Sequence, residues 1–292
     1  IDQAQTNAVV HKALDLGVTL FDTANVYGGD HGHGEVMLAQ ALGPRRGEIV
    51  LATKFGGVRG QQNPPEGGGS RQSIMQSIDE SLERLSTDYI DLYQIHRFDS
   101  GTPIDETMRA LDDVVRQGKV RYVGCSNFAA WQLVDAQWTA RTSGGVPFIS
   151  AQNRYSVLTR DIEAELIPAA EAHGVGILPF FPLESGLLSG KYGRGDEPPA
   201  GSRLSKWRGA FASDAKCDKV GLLTELGDAH GLSILTIAMA WLVHQPAVSS
   251  VIAGATTPEQ VEQNVEAGLA ELSDEAVAAI SEITGAARGR PQ

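Results

Sequence analysis

The sequence predicts an α/β protein whose parallel strands form a (β/α)8 barrel made of repeated strand–helix units. Short β-rich runs alternate with longer helical patterns along most of the 292 residues. Most of these runs are continuously apolar, which is typical of strands covered on both faces in a parallel sheet. No GxGxxG motif follows an early strand. An open dinucleotide-binding sheet would therefore lack its phosphate loop, and the barrel is favoured.

Seven strands can be counted, one fewer than the barrel requires. We predict them at residues 18–22, 49–54, 89–96, 120–125, 148–152, 176–180 and 249–252. The shortage lies at the N-terminus, where the chain opens on a helical pattern. We therefore expect the first barrel strand to be absent from this chain.

Ten helices are predicted around these strands. They lie near residues 3–16, 34–43, 71–86, 104–117, 129–141, 161–173, 216–230, 233–244, 258–267 and 273–284. Thr102 and Pro103 form a helix start signal, since two acidic residues follow in the first turn. The Gly- and Pro-rich stretches at 56–70 and 184–215 are predicted as loops over the catalytic face, because strand–helix units continue after each. A single barrel domain over residues 1–292 is expected. Trp131, Trp138 and Trp241 are predicted to pack between helices and barrel.

The composition argues against several kinds of partner. Lys+Arg is 24 and Asp+Glu is 36, a net charge of −12, whereas nucleic acids and anionic membranes need clustered positive charge. No apolar run reaches the ~18 residues of a membrane span, and no signal peptide pattern is visible, so we expect a cytoplasmic protein. Neither the His31 and His33 pair nor the two cysteines show metal-ligand spacing, and no metal site is predicted. Nothing in the sequence indicates the oligomeric state.

Three successive predicted strands end in titratable groups. Asp22 ends the first, Lys54 the second and His96 the third, and Tyr27 follows Asp22 in the same loop. The C-terminal ends of barrel strands converge on one face, where active sites are built. An ammonium stabilises a nearby phenolate, a carboxylate balances the ammonium, and an imidazole can donate a hydrogen bond to a substrate oxygen. Together these groups would polarise a carbonyl, and the hydride would come from a cofactor.

The same four residues resemble, in order and context, the Asp–Tyr–Lys–His tetrad of the aldo-keto reductases. The surrounding segments are also similar: GVTLFDTANVYG from residue 17, LATK at 51–54, DLYQIHRFD at 91–99 and KVRYVGCSNF at 119–128. Within that family the chain most resembles the bacterial reductases related to potassium-channel β subunits. This likeness is carried by FFPLESGLLSGKY at 180–192 and VIAGATTPEQVEQNVEA at 251–267.

The resemblance implies a barrel that binds a nicotinamide dinucleotide and reduces a small-molecule carbonyl substrate, with Tyr27 as the proton donor. It implies that Ser126, Asn127 and Gln152 bind the carboxamide and that Phe180 stacks on the nicotinamide. The phosphates would be held by Pro182, Leu183, Gly186, Leu187, Lys191 and Arg203, and the adenosine end by Gly254, Thr256, Gln260, Gln263 and Asn264. The cofactor is expected to be NADPH, with NADH as the alternative because Gly254 and Gln260 stand where many relatives have a cation.

Two other functions stay open at this point. The chain could be a cofactor-binding regulatory or redox-sensing subunit with little turnover, as its likeness to channel β subunits suggests. It could also be a barrel lyase that uses Lys54 to form a Schiff base, which would need no nicotinamide.

Overall fold

The computed structural model describes residues 1–29, 32–57, 68–191 and 212–285. Six parallel strands follow one another across the sheet in chain order, and helices alternate with them. The strands are β1 Leu20–Asp22, β2 Val50–Phe55, β3 Ile90–Ile95, β4 Val120–Ser126, β5 Ser150–Arg154 and β6 Gly176–Phe180. This arrangement confirms the α/β class and corresponds to part of a (β/α)8 barrel.

Ten α-helices lie in the described residues. They are α1 Gln3–Asp15, α2 His33–Leu42, α3 Arg71–Arg84, α4 Ile104–Arg116, α5 Ala130–Ser143, α6 Leu166–His173, α7 Asp214–His230, α8 Ile234–Val243, α9 Pro258–Leu269 and α10 Asp274–Thr284. Their starts follow local chemistry, because the N-cap serines of α3, α7, α8 and α10 each accept a hydrogen bond from a backbone N–H in the first turn.

The chain divides into two compact units. The first comprises residues 1–152, 169–177 and 255–261, and the second comprises 153–168, 178–254 and 262–292. The first unit contains the ladders between neighbouring strands from β1 to β5, in which Lys54 lies opposite Gln94 and Ser126 opposite Gln152. The second unit has its own apolar core around Trp241. The expectation of one barrel domain stays a prediction.

Two sequence-based expectations are wrong, one about a strand and one about two tryptophans. The predicted strand at 249–252 is reduced to one bridge, in which Ile252 pairs with Phe180. In the described residues, this bridge does not continue as a longer ladder of paired residues. Trp131 and Trp138 do not pack inward, since they are 60% and 65% exposed, whereas Trp241 is buried as predicted.

No single helix among the described residues is long and apolar enough to cross a membrane. Helices α7 and α8 are long and apolar enough only when they are counted together, and they are bent by 92° at their junction.

Candidate active site

The predicted catalytic residues lie at the C-terminal ends of neighbouring parallel strands in the first unit. Asp22 ends β1, Lys54 is the penultimate residue of β2, and His96 directly follows β3. Parallel pairing aligns these ends, and the N–H of His96 donates to the Phe55 carbonyl oxygen at 2.8 Å. The structure therefore brings these three residues to one edge of the sheet.

Asp22 and Lys54 form a buried ion pair. The Lys54 side chain is 0% exposed and that of Asp22 is 5% exposed. The ammonium donates to Asp22 Oδ2 and, at 3.0 Å, to the backbone carbonyl oxygen of Thr23. Because the Lys54 nitrogen is buried and held by the Asp22 carboxylate and a backbone carbonyl oxygen, it is poorly placed to attack a substrate, and this arrangement disfavours the Schiff-base alternative.

The second carboxylate oxygen of Asp22 accepts from two side-chain amides. Gln152 Nε2 lies 2.9 Å from Oδ1, and Gln94 Nε2 lies 3.3 Å from it. Gln152 was predicted as a cofactor residue, and here its amide holds Asp22. Gln94 was missed, although a glutamine within the apolar run of β3 is a signal that could have identified it.

Tyr27 stands beside both the ammonium and the imidazole. Its ring centroid lies 5.1 Å from Lys54 Nζ and 5.8 Å from the His96 ring, which it meets edge-on at 86°. Tyr27 is 42% exposed, so a ligand can reach it from outside. All four predicted catalytic residues thus belong to one cluster.

The loop that carries Tyr27 is folded tightly onto the start of α2. The N–H of Gly34 donates to the Tyr27 carbonyl oxygen at 2.9 Å. Gly28 has φ +91°, and a Cβ built there would lie 2.5 Å from the backbone N of Gly34. Only glycine fits this close approach without a shift of the backbone.

Glu35, which the sequence analysis missed, ties this helix start to the sheet. It is 0% exposed and accepts from Thr53 Oγ1 at 2.6 Å and from Arg84 Nε at 2.7 Å. Thr53 directly precedes Lys54 in β2. One buried carboxylate therefore connects α2, β2 and α3 next to the candidate cluster.

His96 is neutral near pH 7. Burial, followed by the positive charges of Lys54 and Arg97, lowers the pKa of His96 from 6.5 to about 4. Its Nδ1 is buried and makes no hydrogen bond to any described residue. The imidazole lines a cavity of about 370 Å³ together with Val26, Gly57 and Arg97. A neutral imidazole in such a cavity carries one N–H donor for a ligand oxygen.

The predicted carboxamide-binding residues form a hydrogen-bonded group at the ends of β4 and β5. Asn127 has φ +58°, and its side-chain amide donates to the His96 carbonyl oxygen and to Ser126 Oγ, both at 3.0 Å. Its backbone N–H donates to the Gln152 carbonyl oxygen, also at 3.0 Å. With both amide hydrogens in use, Oδ1 of Asn127 is the atom left to accept from a ligand.

In the second unit, the predicted phosphate-binding segment forms a left-handed turn after β6. Phe180 ends the strand, and φ is positive at Phe181, Glu184 and Ser185. The N–H of Gly186 donates to the carbonyl oxygen of Leu183 at 2.8 Å. That amide thus bonds within the turn, as does the N–H of Leu187. The turn also contains Pro182.

Glu184, which the sequence analysis missed, anchors this turn. It is 0% exposed and accepts from Arg154 Nη2, Lys216 Nζ and Ser156 Oγ, each at 2.6 Å. These donors outweigh the burial of the carboxyl group and lower the pKa of Glu184. Side chains from β5 and α7 therefore stabilise the turn in addition to its own backbone hydrogen bonds.

The other predicted cofactor residues are distributed as follows. In the first unit, Thr256 N–H donates to Gln260 Oε1 at 2.8 Å at the start of α9. In the second unit, Gln263 lines a cavity of about 490 Å³, Asn264 lies in α9 and Lys191 is exposed. Gly254 also belongs to the second unit, and Arg203 lies outside the described residues.

Comparison with known proteins agrees with the family resemblance seen in the sequence. The model of the Aldo/keto reductase family matches residues 1–284. The chain is 35% identical to an uncharacterised oxidoreductase named YrpG from Bacillus subtilis, over 97% of this chain and 87% of that protein. It is also 35% identical to a probable voltage-gated potassium channel subunit beta from Oryza sativa, over 91% and 83% of the two chains. Identity to an L-glyceraldehyde 3-phosphate reductase from Escherichia coli is 35%, over 89% and 78%. The resemblance seen in the sequence is confirmed.

Proposed function

The chain belongs to the aldo/keto reductase family, and from this premise we propose that it is an NAD(P)H-dependent oxidoreductase that reduces aldehydes or ketones to alcohols. The observation that carries the proposal is the cluster of Tyr27, His96 and the buried Asp22–Lys54 pair at one edge of the sheet. A phenol beside an ammonium, with a neutral imidazole next to it, is suited to donate a proton and hydrogen bonds to a carbonyl oxygen.

Each residue has a distinct part in this proposal. Tyr27 gives its proton to the oxygen of the carbonyl as negative charge develops there. Lys54, whose Nζ lies 5.1 Å from the Tyr27 ring, stabilises the phenolate that remains. Asp22 accepts a hydrogen bond from that ammonium and holds it in place. His96, neutral because its pKa is about 4, donates a hydrogen bond that orients the carbonyl.

The residues present fit a nicotinamide dinucleotide, which supplies the hydride when bound. Ser185 Oγ, in the turn after β6, is buried and makes no hydrogen bond to any described residue. A hydroxyl of this kind suits an added acceptor such as a phosphate oxygen. In the first unit, Ser126, Asn127 and Gln152 offer the hydroxyl and amide groups that a carboxamide needs. The other cofactor contacts proposed from the family resemblance are Phe180, Pro182, Leu183, Gly186, Leu187, Lys191, Arg203, Gly254, Thr256, Gln260, Gln263 and Asn264.

We propose NADPH as the cofactor, with NADH as the alternative. Lys191 and Arg203 are the cations that would favour a 2′-phosphate. The cavity beside Gln263 supports NADH instead, because Asp228 and Glu266 line it and no Lys or Arg does so among the described residues. Titrating both dinucleotides in parallel, by quenching of tryptophan fluorescence, gives the ratio of their dissociation constants.

Replacement of Tyr27 by phenylalanine tests the assigned chemistry. We expect Tyr27→Phe to lower kcat for an aromatic aldehyde by about 10²- to 10⁴-fold, the usual contribution of a positioned acid, with cofactor affinity retained. Tyr122→Phe is the matched control, since Tyr122 is 58% exposed on β4 and has no part in the cluster. Equal turnover by Tyr27→Phe and the wild type would show that Tyr27 is not the proton donor.

A regulatory or redox-sensing subunit is the second candidate function. It is favoured by the 35% identity to a protein named as a potassium channel subunit beta. The same assay separates the two functions, because a sensor would bind the dinucleotide tightly and reduce none of a panel of aldehydes and ketones.

A further inference from the structure

Arg97 brings a positive charge to the cavity next to the catalytic cluster. It directly follows His96 in the chain, and both residues line the cavity of about 370 Å³ with Val26 and Gly57. Its side chain is exposed, so the guanidinium is accessible to a ligand. The cavity is near the lower end of the volumes that small-molecule sites occupy, about 300–1,000 Å³.

Among the described residues, the other basic groups at this edge of the sheet are paired or neutral. The ammonium of Lys54 is paired with Asp22, and His96 is neutral at pH 7 because its pKa is about 4. The nearest acidic residue in sequence is Asp99, which accepts from Gly69 N–H, Gly101 N–H and Thr102 Oγ1 at 2.8, 2.9 and 2.7 Å.

No carboxylate forms an ion pair with Arg97 in the part of the chain that the structure describes. The chain as a whole carries a formal net charge of −12. The guanidinium of Arg97 is therefore a positive charge that no described carboxylate pairs with, and it opposes the general repulsion that an anion meets from this protein.

We propose that Arg97 binds an anionic group, a carboxylate or a phosphate, carried by the carbonyl substrate whose oxygen faces Tyr27 and His96. This inference rests on the proposed function and narrows its substrate class to small anionic aldehydes or ketones. Guanidinium groups bind both anions through paired hydrogen bonds. Because Arg97 and His96 line the same cavity, one small molecule can present its carbonyl to His96 and its anionic group to Arg97.

Aldehydes of matched shape test the proposal. The probes are 4-carboxybenzaldehyde, (4-formylphenyl)phosphonate and the neutral methyl 4-formylbenzoate, reduced by the full chain with its cofactor. For the wild type we expect a higher kcat/KM for one or both anions than for the ester. In Arg97→Met the ratio of anion to ester should fall at least about tenfold, through KM, as expected for a lost hydrogen bond to a charged group. Arg97→Lys should retain part of the ratio.

Arg109→Met is the control for the change of net charge. Arg109 is 70% exposed on α4, and its guanidinium lies 3.5 Å from Asp105. We expect this variant to keep the wild-type ratio. A ratio that is unchanged in Arg97→Met, or that falls equally in Arg109→Met, would overturn the proposal. The relative effect on the two anions distinguishes a carboxylate from a phosphate substrate.

Direct binding separates this inference from the proposed function. The same two anionic probes are titrated calorimetrically against the wild type and Arg97→Met. Binding that depends on Arg97, in a protein that reduces no aldehyde, would support the anion site and contradict the reductase. If the wild type reduces the ester, and Arg97→Met binds the anions as tightly as the wild type, the result would support the reductase and contradict the anion site.

Discussion

The buried pair of Asp22 and Lys54 allows a quantitative prediction for stability. The Lys54 side chain is fully buried and that of Asp22 is 5% exposed. Removing one partner of a buried, hydrogen-bonded ion pair leaves an uncompensated charge and usually costs about 3–5 kcal/mol. In Asp22→Asn the described partners left to the ammonium would be the Thr23 carbonyl oxygen, the Tyr27 ring and the new amide, none of which carries a negative charge. We therefore expect a loss in the upper part of that range.

Lys54→Met should cost less, because Asp22 would keep the amide donors of Gln152 and Gln94 at 2.9 and 3.3 Å. Each hydrogen bond to a charged group contributes roughly 1.5–3 kcal/mol, which places this variant near 3 kcal/mol, in the lower part of the roughly 3–5 kcal/mol range. In the double variant no charge is left buried, so its loss should be smaller than the sum of the single losses by at least about 2 kcal/mol.

The assay is equilibrium urea unfolding, followed by circular dichroism, of the wild type and the three variants. A double-variant loss equal to the sum of the single losses would refute the reasoning, since it would mean that the two charges do not stabilise each other in the folded protein. A loss below about 1 kcal/mol in Asp22→Asn would refute it too, because a solvated ion pair contributes about that little.

Two further predictions concern His96 and the loop of Tyr27. The pKa of His96 is about 4 in the folded protein against 6.5 ordinarily, so the unfolded chain binds more protons between these values. The free energy of unfolding should then rise from pH 4 to 6.5, by up to about 3 kcal/mol, and unfolding curves of His96→Gln should lack this rise. Gly28→Ala should lower stability by at least about 1 kcal/mol more than Gly17→Ala. Both glycines have positive φ and share the conformational cost, but only at Gly28 would the new Cβ meet backbone, 2.5 Å from Gly34 N. Gly28→Ala should also lower kcat, because it displaces Tyr27, and equal unfolding midpoints for the two variants would contradict the prediction.

The proximity of the four candidate residues could be predicted from the sequence because of a general property of parallel sheets. Asp22, Lys54 and His96 each end an apolar run, and the C-terminal ends of parallel strands meet at one edge. The local sequence pattern therefore predicts that these residues lie close together, although Asp22 and His96 are 74 residues apart in the chain. Tyr27 followed from its position in the loop after the first of these strands.

The residues that hold the cluster could not be predicted in the same way. Glu35 has the sequence context of an ordinary acidic residue in a first helical turn, where a carboxylate is favourable in any case. Its actual partners, Thr53 and Arg84, lie 18 and 49 residues away. The burial of Glu184 likewise depends on donors from distant elements. Such contacts are set by tertiary packing, which single-sequence patterns do not encode.

The two tryptophans on α5 illustrate a related limit. The face of α5 that is buried consists of Leu133, Ala136, Gln137 and Ala140. Small side chains let this face pack closely against its neighbours, whereas the bulky indoles of Trp131 and Trp138 are exposed. Hydrophobicity alone predicts that these two tryptophans are buried. That prediction is wrong because the volume of a side chain can also decide which face of a helix packs inward.

The contacts of Glu35 have a consequence for local opening of the native state. Helix ends ordinarily fray, and their amides exchange with solvent far faster than those of a central strand. The first turn of α2 differs, because releasing it would strip a buried carboxylate of both Thr53 and Arg84. The amide of Gly34, which bonds to the Tyr27 carbonyl oxygen, should therefore exchange its hydrogen as slowly as the amides of β2. Tyr27 would then keep its place for as long as that strand stays folded.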